Sequence, residues 1–275
     1  MTAYLGRNAM PRRDTNPNFV EAVARGLDLI RAFEPGRPTM TLAELAARAS
    51  LPRPTASRIL YTLESLGYVR STGGNYALTP RVLELGMTYV QQVDMWDVAR
   101  PRLQELVAHT GESSSIAELD GSDIVYVARV AVPKLIALVV RIGTKFPAAP
   151  TSLGKVLLAG LNDEEVARVM AEPTRSGVEA KWQPDLPELL ECLSEVRAQG
   201  WSLTDQQLAN GVRSVAAPLR DGSGQVRAAM NVTVHAAETS KEVLLEEHLP
   251  KLLATASALS ADWARRDTIP YAEAR

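Results

Sequence analysis

Apolar positions first recur with a helical period over 19–33, FVEAVARGLDLIRAF. Phe19, Val23, Leu27 and Ile30 fall on one face, with Ala22 and Phe33 beside it, and that face is expected to pack against the next two helices. Pro35-Gly36-Arg37-Pro38 closes the helix. The same period returns twice within 41–67. Leu42, Leu45, Ala46 and Ala49 make one stripe; Ala56, Ile59, Leu60, Leu63 and Leu66 make the next. Thr41 with Glu44 three residues on is a capping-box pattern, and Ser50-Leu51 is a break. Pro52 and Pro54 are placed in the first turn of the second helix, where a missing N–H costs nothing, and Gly67 ends it.

The unburied face of that second helix is Arg53, Thr55, Ser57, Arg58 and Thr62, with no acid before Glu64. A helix that is apolar inside and basic and hydroxylated outside suits a DNA major groove; a plain surface hairpin is the alternative. Solvated charge or ion pairs with Glu64 or Glu44 are the lesser alternative for the two arginines. The residues after Gly67 favour DNA. Strand-like runs at 68–71 and 76–78 flank Thr72-Gly73-Gly74-Asn75, a hairpin signal, and a hairpin directly after a helix-turn-helix is a wing. Arg70, Thr72 and Asn75 are placed there to meet phosphate or the minor groove.

Thr79-Pro80 opens another helix, through Val82, Leu83, Leu85, Met87 and Val90. It either packs on the winged domain or pairs with its copy, and pairing is expected, because regulators that read two half-sites commonly dimerise. From about Asp94 the pattern changes. A helix at 96–109 precedes a hairpin, 113–119 and 123–130 around Asp120-Gly121-Ser122. A nearly continuous apolar strand is expected at 135–142, followed by a Pro- and Gly-punctuated loop, 143–150. Helices are expected at 151–161, 163–170 and 186–199. A loop at 201–211 leads to strands at 214–218 and 226–234, and a long amphipathic helix runs over 241–265. The fold expected is α+β: residues 1–17 a disordered arm, 18–79 a winged helix-turn-helix, 80–93 a linker helix, 94–265 a second domain with a mostly antiparallel sheet, and 266–275 a tail.

The chain has 275 residues and a net charge of −2, which hides an asymmetry. Residues 1–90 carry eleven Arg and no Lys against seven acids, +4; the remainder carries nineteen basic and twenty-five acidic residues, −6. A basic first third on an acidic body fits one nucleic-acid module joined to something else. No apolar run is long enough to span a membrane, and the amino-terminal stretch lacks an apolar signal core, so a cytoplasmic protein is expected. One cysteine, Cys192, and three scattered histidines, His109, His235 and His248, offer neither a disulfide framework nor a metal cluster. Ser152-Leu153-Gly154-Lys155 looks superficially like a phosphate loop, but position 149 is Ala and 156 is Val, so the motif fails. There is no Gly-x-Ser-x-Gly and no His-Glu-x-x-His, and neither catalysis nor a cofactor is expected.

VARGLDLIRAF, the helix-turn-helix through YV, the linker, GTKFPAAPTSLGKVLLA and TDQQLANGVRSVAAPL together resemble the IclR family of bacterial transcriptional regulators, over about 18–265 and in the family's order. Within it the chain is most similar to regulators of protocatechuate, 4-hydroxybenzoate and β-ketoadipate catabolism. The resemblance implies a double-stranded DNA operator, a GAF-like effector domain, a small organic-acid effector, and dimers or dimers of dimers. Family ligand positions carried onto this chain fall on Ser152, Leu153, Asp205, Val212, Ser214, Asn231 and Thr233. The chain departs from the family at Pro54, where a polar residue is usual, and at Gln206 and Gln207, where two acids often stand. The residues add a reason of their own. Thr151 or Ser152 can cap a helix whose amides at Ser152, Leu153 and Gly154 would face an anion, and Leu138 and Arg141 on the expected third strand would add a wall and a cation. Ordinary capping and sheet polarity are the plain alternatives, and for the chain as a whole the alternative is a DNA-binding scaffold with no ligand.

Overall fold

The computed structural model describes residues 16–34, 36–92, 95–133 and 140–267. The chain divides into two compact units between positions 94 and 95.

The first unit runs α1 (Glu21–Arg31), β1 (Met40–Thr41), α2 (Leu42–Arg48), α3 (Arg53–Ser65), β2 (Val69–Thr72), β3 (Asn75–Leu78), a 3-10 turn (Pro80–Leu83) and α4 (Glu84–Gln92). Its core is Leu29, Met40, Leu45 and Leu60, fully buried, with Ala46, Ala49, Ala56, Leu63 and Val69 around them. Thr41 ends β1 and caps α2. Its hydroxyl accepts from the Glu44 N–H (3.3 Å), and the Glu44 carboxylate accepts from the Thr41 N–H (2.8 Å), completing the capping box. Ser50, at φ +50°, turns the chain between α2 and α3. Helix α3 starts at Arg53, so Pro52 stands outside as the extended N-cap residue and only Pro54 lies in the first turn. The wing turns on Gly73 and Gly74, at φ +59° and +80°, the left-handed pair that a two-residue hairpin needs. Strand β1, two residues long, pairs with β3 and is too short to leave a sequence pattern.

Helix α1 differs from the sequence expectation. Of the expected residues Ile30 and Phe33 pack on the core, beside Leu29 and Ala32, whereas Phe19, Val20, Val23 and Leu27 are exposed. The helix has apolar residues on more than one side, and periodicity alone does not say which side the unit uses.

The second unit is a six-stranded antiparallel sheet in the order β6-β5-β4-β9-β8-β7, formed by β4 (Ser113–Asp120), β5 (Asp123–Val130), β6 (Lys145–Pro147), β7 (Ser202–Asp205), β8 (Val212–Arg220) and β9 (Val226–His235). Helices α5 (Met95–Thr110) and α10 (Leu249–Asp267) lie on one face. Helix α6 (Ser152–Ala159) packs on the sheet as well, with α8 (Leu186–Gln199) against it and α7 (Asp163–Met170) against α8. A short helix α9 (Lys241–Val243) and one π turn (Leu244–His248) lead into α10.

Two strands depart from the sequence reading. Most of the apolar stretch expected at 135–142, Leu138 included, lies outside the described residues, and Val140, Arg141 and Ile142 are not in a strand. Gly143, at φ +85°, turns the chain; the Tyr126 N–H then donates to the Thr144 carbonyl, and β6 pairs with β5 beyond it. The loop expected at 201–211 begins with edge strand β7, in which the polar residues Ser202 and Thr204 face inward. A strand that buries its polar side does not carry the usual alternation signal. No described helix is long and apolar enough to cross a membrane.

Candidate functional site

Two groups of residues stand apart from ordinary packing. In the first unit, Arg53, Ser57 and Arg58 are exposed on α3, with Thr55 half-buried beside them. Arg70 and Thr72 are exposed on the wing and Asn75 is half-buried at its turn. Among the described residues, Arg53, Arg58 and Arg70 make no ion pair. The two acids that sequence reading offered as partners are engaged elsewhere. Glu44 is held by the Thr41 backbone and by Arg37, which keep its carboxyl low, at about 2. Glu64 accepts from the Ser71 N–H (3.1 Å) and hydroxyl (2.6 Å), tying α3 to the wing. Three uncompensated guanidinium groups therefore sit on one small module, an arrangement that suits phosphate and guanine edges. Tyr61, 72% exposed one turn beyond Ser57 and Arg58, belongs to the same outward face; sequence reading passed over it.

The second group lines a small, part-open cavity of about 40 Å³ in the second unit. Helix α6 closes one side. The Thr151 hydroxyl caps it by accepting from the Gly154 N–H (3.0 Å), and the Lys155 N–H makes the first helical bond to the Thr151 carbonyl. The amides of Ser152 and Leu153 precede that bond and carry the positive end of the helix dipole. Gly154 is required there, because a Cβ would stand 2.1 Å from the Ala148 carbonyl oxygen. The Ser152 and Ser214 hydroxyls are 2.7 Å apart, and Thr204 Oγ1 lies 3.0 Å from Ser214 Oγ. Thr204, Ser214 and Thr233 are directly opposed across β7, β8 and β9, so their side chains share a face. One register row along, Asn231, Ser115 and Arg129 are opposed across β9, β4 and β5. The Asn231 amide donates to Thr233 Oγ1 (2.9 Å) and accepts from the Ser115 N–H (3.0 Å), which fixes its orientation.

Arg129 reaches the cavity through an irregularity. Ile116 pairs with Ala128 but Ala117 with Tyr126, so Val127 is an extra residue, and Tyr126 and Arg129 both end on the cavity side. Arg129 Nη1 donates to Ser115 Oγ (2.9 Å), while Nε is buried with no partner. Burial pulls this guanidinium below its ordinary value. The apolar walls include Leu153, Leu208, Val140, Val212 and the edge-to-face pair Tyr126–Phe146, 5.8 Å between centroids. Burial pushes the Tyr126 phenol up to about 12, so it stays neutral.

The cavity thus gathers Ser152, Leu153, Val212, Ser214, Asn231 and Thr233 from the sequence-predicted set. It leaves out others. Arg141 is exposed, and its N–H is tied to the Thr144 hydroxyl (2.9 Å) because the chain has turned at Gly143. The cation among the lining residues is Arg129, which looked like an ordinary strand position because the bulge is invisible in the sequence. Asp205 points away, as alternation along β7 requires once Thr204 faces inward, and forms a two-pronged pair with Arg213 at 3.0 Å for each bond. The Gly154 amide is taken by Thr151. Leu138 lies outside the described residues. Lys155 is buried against the Trp182 ring (4.3 Å) and donates to Gln207 (2.6 Å), so it anchors the 206–211 loop that supplies Leu208. No group of metal-ligating side chains occurs among the described residues.

Comparison with known proteins places both regions. Residues 22–73 match the IclR helix-turn-helix domain, and 87–261 match the domain described as bacterial transcriptional regulator IclR C-terminal. The chain is 37% identical over 245 residues to the Pca regulon regulatory protein of Pseudomonas putida, covering 89% of this chain and 84% of that one. It is 30% identical over 261 residues to the p-hydroxybenzoate hydroxylase transcriptional activator of Acinetobacter baylyi, covering 93% and 96%. Among solved structures it resembles a putative transcriptional regulator from Rhodococcus sp. RHA1, with 41% identity, a TM-score of 0.76, and coverage of 90% and 100%.

Proposed function

The chain belongs to the IclR family of bacterial transcriptional regulators, DNA-binding proteins rather than enzymes, and on that premise we propose that a small organic acid in the cavity controls how the winged unit engages its operator. The observation that carries this reading is the cavity itself: hydroxyls, an amide, a helix start and an uncompensated guanidinium converge between apolar walls. Such a composition suits a small acid with an apolar body. Aromatic acids are the favoured subclass, supported by the aromatic-pathway names of two relatives.

On the DNA side, Arg53, Thr55, Ser57 and Arg58 enter the major groove, and Arg70, Thr72 and Asn75 of the wing contact the backbone or minor groove. The working unit is a homodimer, able to pair further into a tetramer. The apolar residues that the winged unit leaves exposed support pairing: Phe19 and Val20 just before α1, Val23 and Leu27 on it, and Leu83, Leu85 and Met87 in the linker. Val90, expected in the same interface, has a side chain outside the described residues.

The test is a thermal-shift panel of benzoate, 4-hydroxybenzoate, terephthalate and adipate on the parent and on Asn231→Leu. A ligand that binds only the folded state raises the melting temperature with concentration. The reading expects at least one acid to do so in the parent and to do less in Asn231→Leu. A flat response across the panel in the parent would remove the effector role.

A further inference from the structure

We propose that Tyr61 is a specificity-determining residue of the winged unit, its ring reading the C5-methyl group of a thymine in the major groove. The inference rests on the placement of α3 in the groove given above and adds to it one residue and one base. At about 100° per residue, the buried positions Ala56, Leu60 and Leu63 fall on one side of α3. Tyr61 falls on the opposite side, between Ser57 and Arg58 in angle. Pro54, Ser57, Arg58 and Tyr61 are all exposed there, at positions i, i+3, i+4 and i+7. That is the spacing at which a homeodomain recognition helix sets four side chains against base edges. From Pro54 to Tyr61 the helix rises about 10.5 Å, roughly three base-pair steps at ~3.4 Å each.

The neighbours of Tyr61 are committed elsewhere. Thr62 turns its hydroxyl back to the Arg58 carbonyl (3.0 Å), and Ser65 turns its own to the Tyr61 carbonyl (2.8 Å). Glu64 is held by Ser71 of the wing. The Tyr61 side chain is 72% exposed, and among the described residues it makes no ring contact, cation-π contact or hydrogen bond. A ring held in water contributes nothing to the isolated unit. The major groove offers it one apolar group, the thymine C5-methyl; the other base-edge groups there are hydrogen-bond donors and acceptors. Arg58 suits a guanine edge, and the Ser57 hydroxyl can donate or accept. Tyr61 therefore supplies the one kind of base contact that these two do not make.

The experiment selects duplexes from a randomised DNA pool with the full chain, comparing the parent with Tyr61→Ala, Tyr61→Phe and Arg58→Ala. Circular dichroism checks the fold of each variant, and Tyr61→Gln replaces the alanine variant should that one fail to fold. The parent's sequences should carry a thymine column that Tyr61→Ala relaxes and Tyr61→Phe keeps. In the parent's best duplex that thymine is then replaced by deoxyuridine, which lacks only the methyl group. By fluorescence anisotropy the replacement should weaken the parent and Tyr61→Phe about four-fold, the effect of one buried methyl-sized group, and leave Tyr61→Ala unmoved. A thymine column that survives in Tyr61→Ala, with deoxyuridine weakening it as much as the parent, would overturn the proposal. So would equal loss of affinity in both Tyr61 variants with every column intact, which is the mark of a hydroxyl on phosphate. In either case an altered selection by Arg58→Ala leaves the placement of α3 standing. If Arg58→Ala also selects and binds like the parent, that placement falls together with this proposal.

Discussion

In the winged unit Val23 and Leu27 are 59% and 51% exposed and Met87 is 43% exposed, whereas in the second unit Ser152, Ser214 and Asn231 are 6% exposed or less. Each region inverts the usual arrangement of a globular protein, the first outward and the second inward. Apolar side chains held in water disfavour the isolated unit, whereas the buried hydroxyls and amide are hydrogen-bonded to one another. The inversions differ in what relieves them. The exposed stripe has no polar groups to orient a ligand, and a second apolar surface suffices. The buried cluster has its hydroxyls and amide already oriented by one another, and a ligand must match their geometry. On the reading proposed above, the first is a surface of low chemical specificity and the second a recognition site.

The largest effect on folding stability should come from the cavity rim. Gly154→Ala forces a Cβ against the Ala148 carbonyl, and overpacking of this kind costs about 3 kcal/mol. Denaturant unfolding followed at the tryptophans, all of which lie beyond position 94, should register the loss; an unchanged midpoint would mean that the α6 start is soft and the site not preorganised. Leu27→Glu combined with Met87→Glu should have an effect at least as large, on association rather than on folding. If burial of each apolar chain contributes about 1.5–3 kcal/mol, sedimentation should show a dimer weakened by two orders of magnitude or more, with melting of the second unit unaltered. An unchanged mass distribution would place the interface elsewhere. Arg58→Ala should weaken operator binding by about 1–3 kcal/mol, with circular dichroism preserved. Thr41→Ala, which removes only a helix cap, should cost about 1 kcal/mol of winged-unit stability. That cap also sets an acid limit. The Glu44 carboxyl is held at about 2, below its unfolded value, so its contribution is present above pH 4.5 and is lost as pH falls towards 2. A winged unit whose stability rose on acidification through that window would contradict the pairing.

Much of the winged unit was legible because several independent signals agreed: the period of Leu45, Ala46 and Ala49, the Thr41–Glu44 box, and two glycines in the hairpin. The side of α1 was not, since Phe19, Val23 and Leu27 form as good a stripe as Leu29 and Ala32 do. In the second unit six cavity residues came through resemblance and the α6 capping pattern. Strand β7 was missed because Ser202 and Thr204 point inward, which reads as a loop. Arg129 was missed because register across a bulge depends on strand pairing, a long-range property that no local pattern carries. The misplaced cation, Arg141, has the same cause: a strand assumed to continue to Ile142 stops instead at a turn near Gly143.

The central claim is that cavity and operator are coupled. Operator affinity of the full chain should be measured by fluorescence anisotropy, with and without whichever of benzoate, 4-hydroxybenzoate, terephthalate and adipate raises the melting temperature most. Affinity of that acid should then be measured with and without operator. Coupling predicts that the acid changes operator affinity by at least five-fold and that operator changes acid affinity by the same factor, since linkage is reciprocal. An acid that binds the cavity and leaves operator affinity untouched would contradict the account.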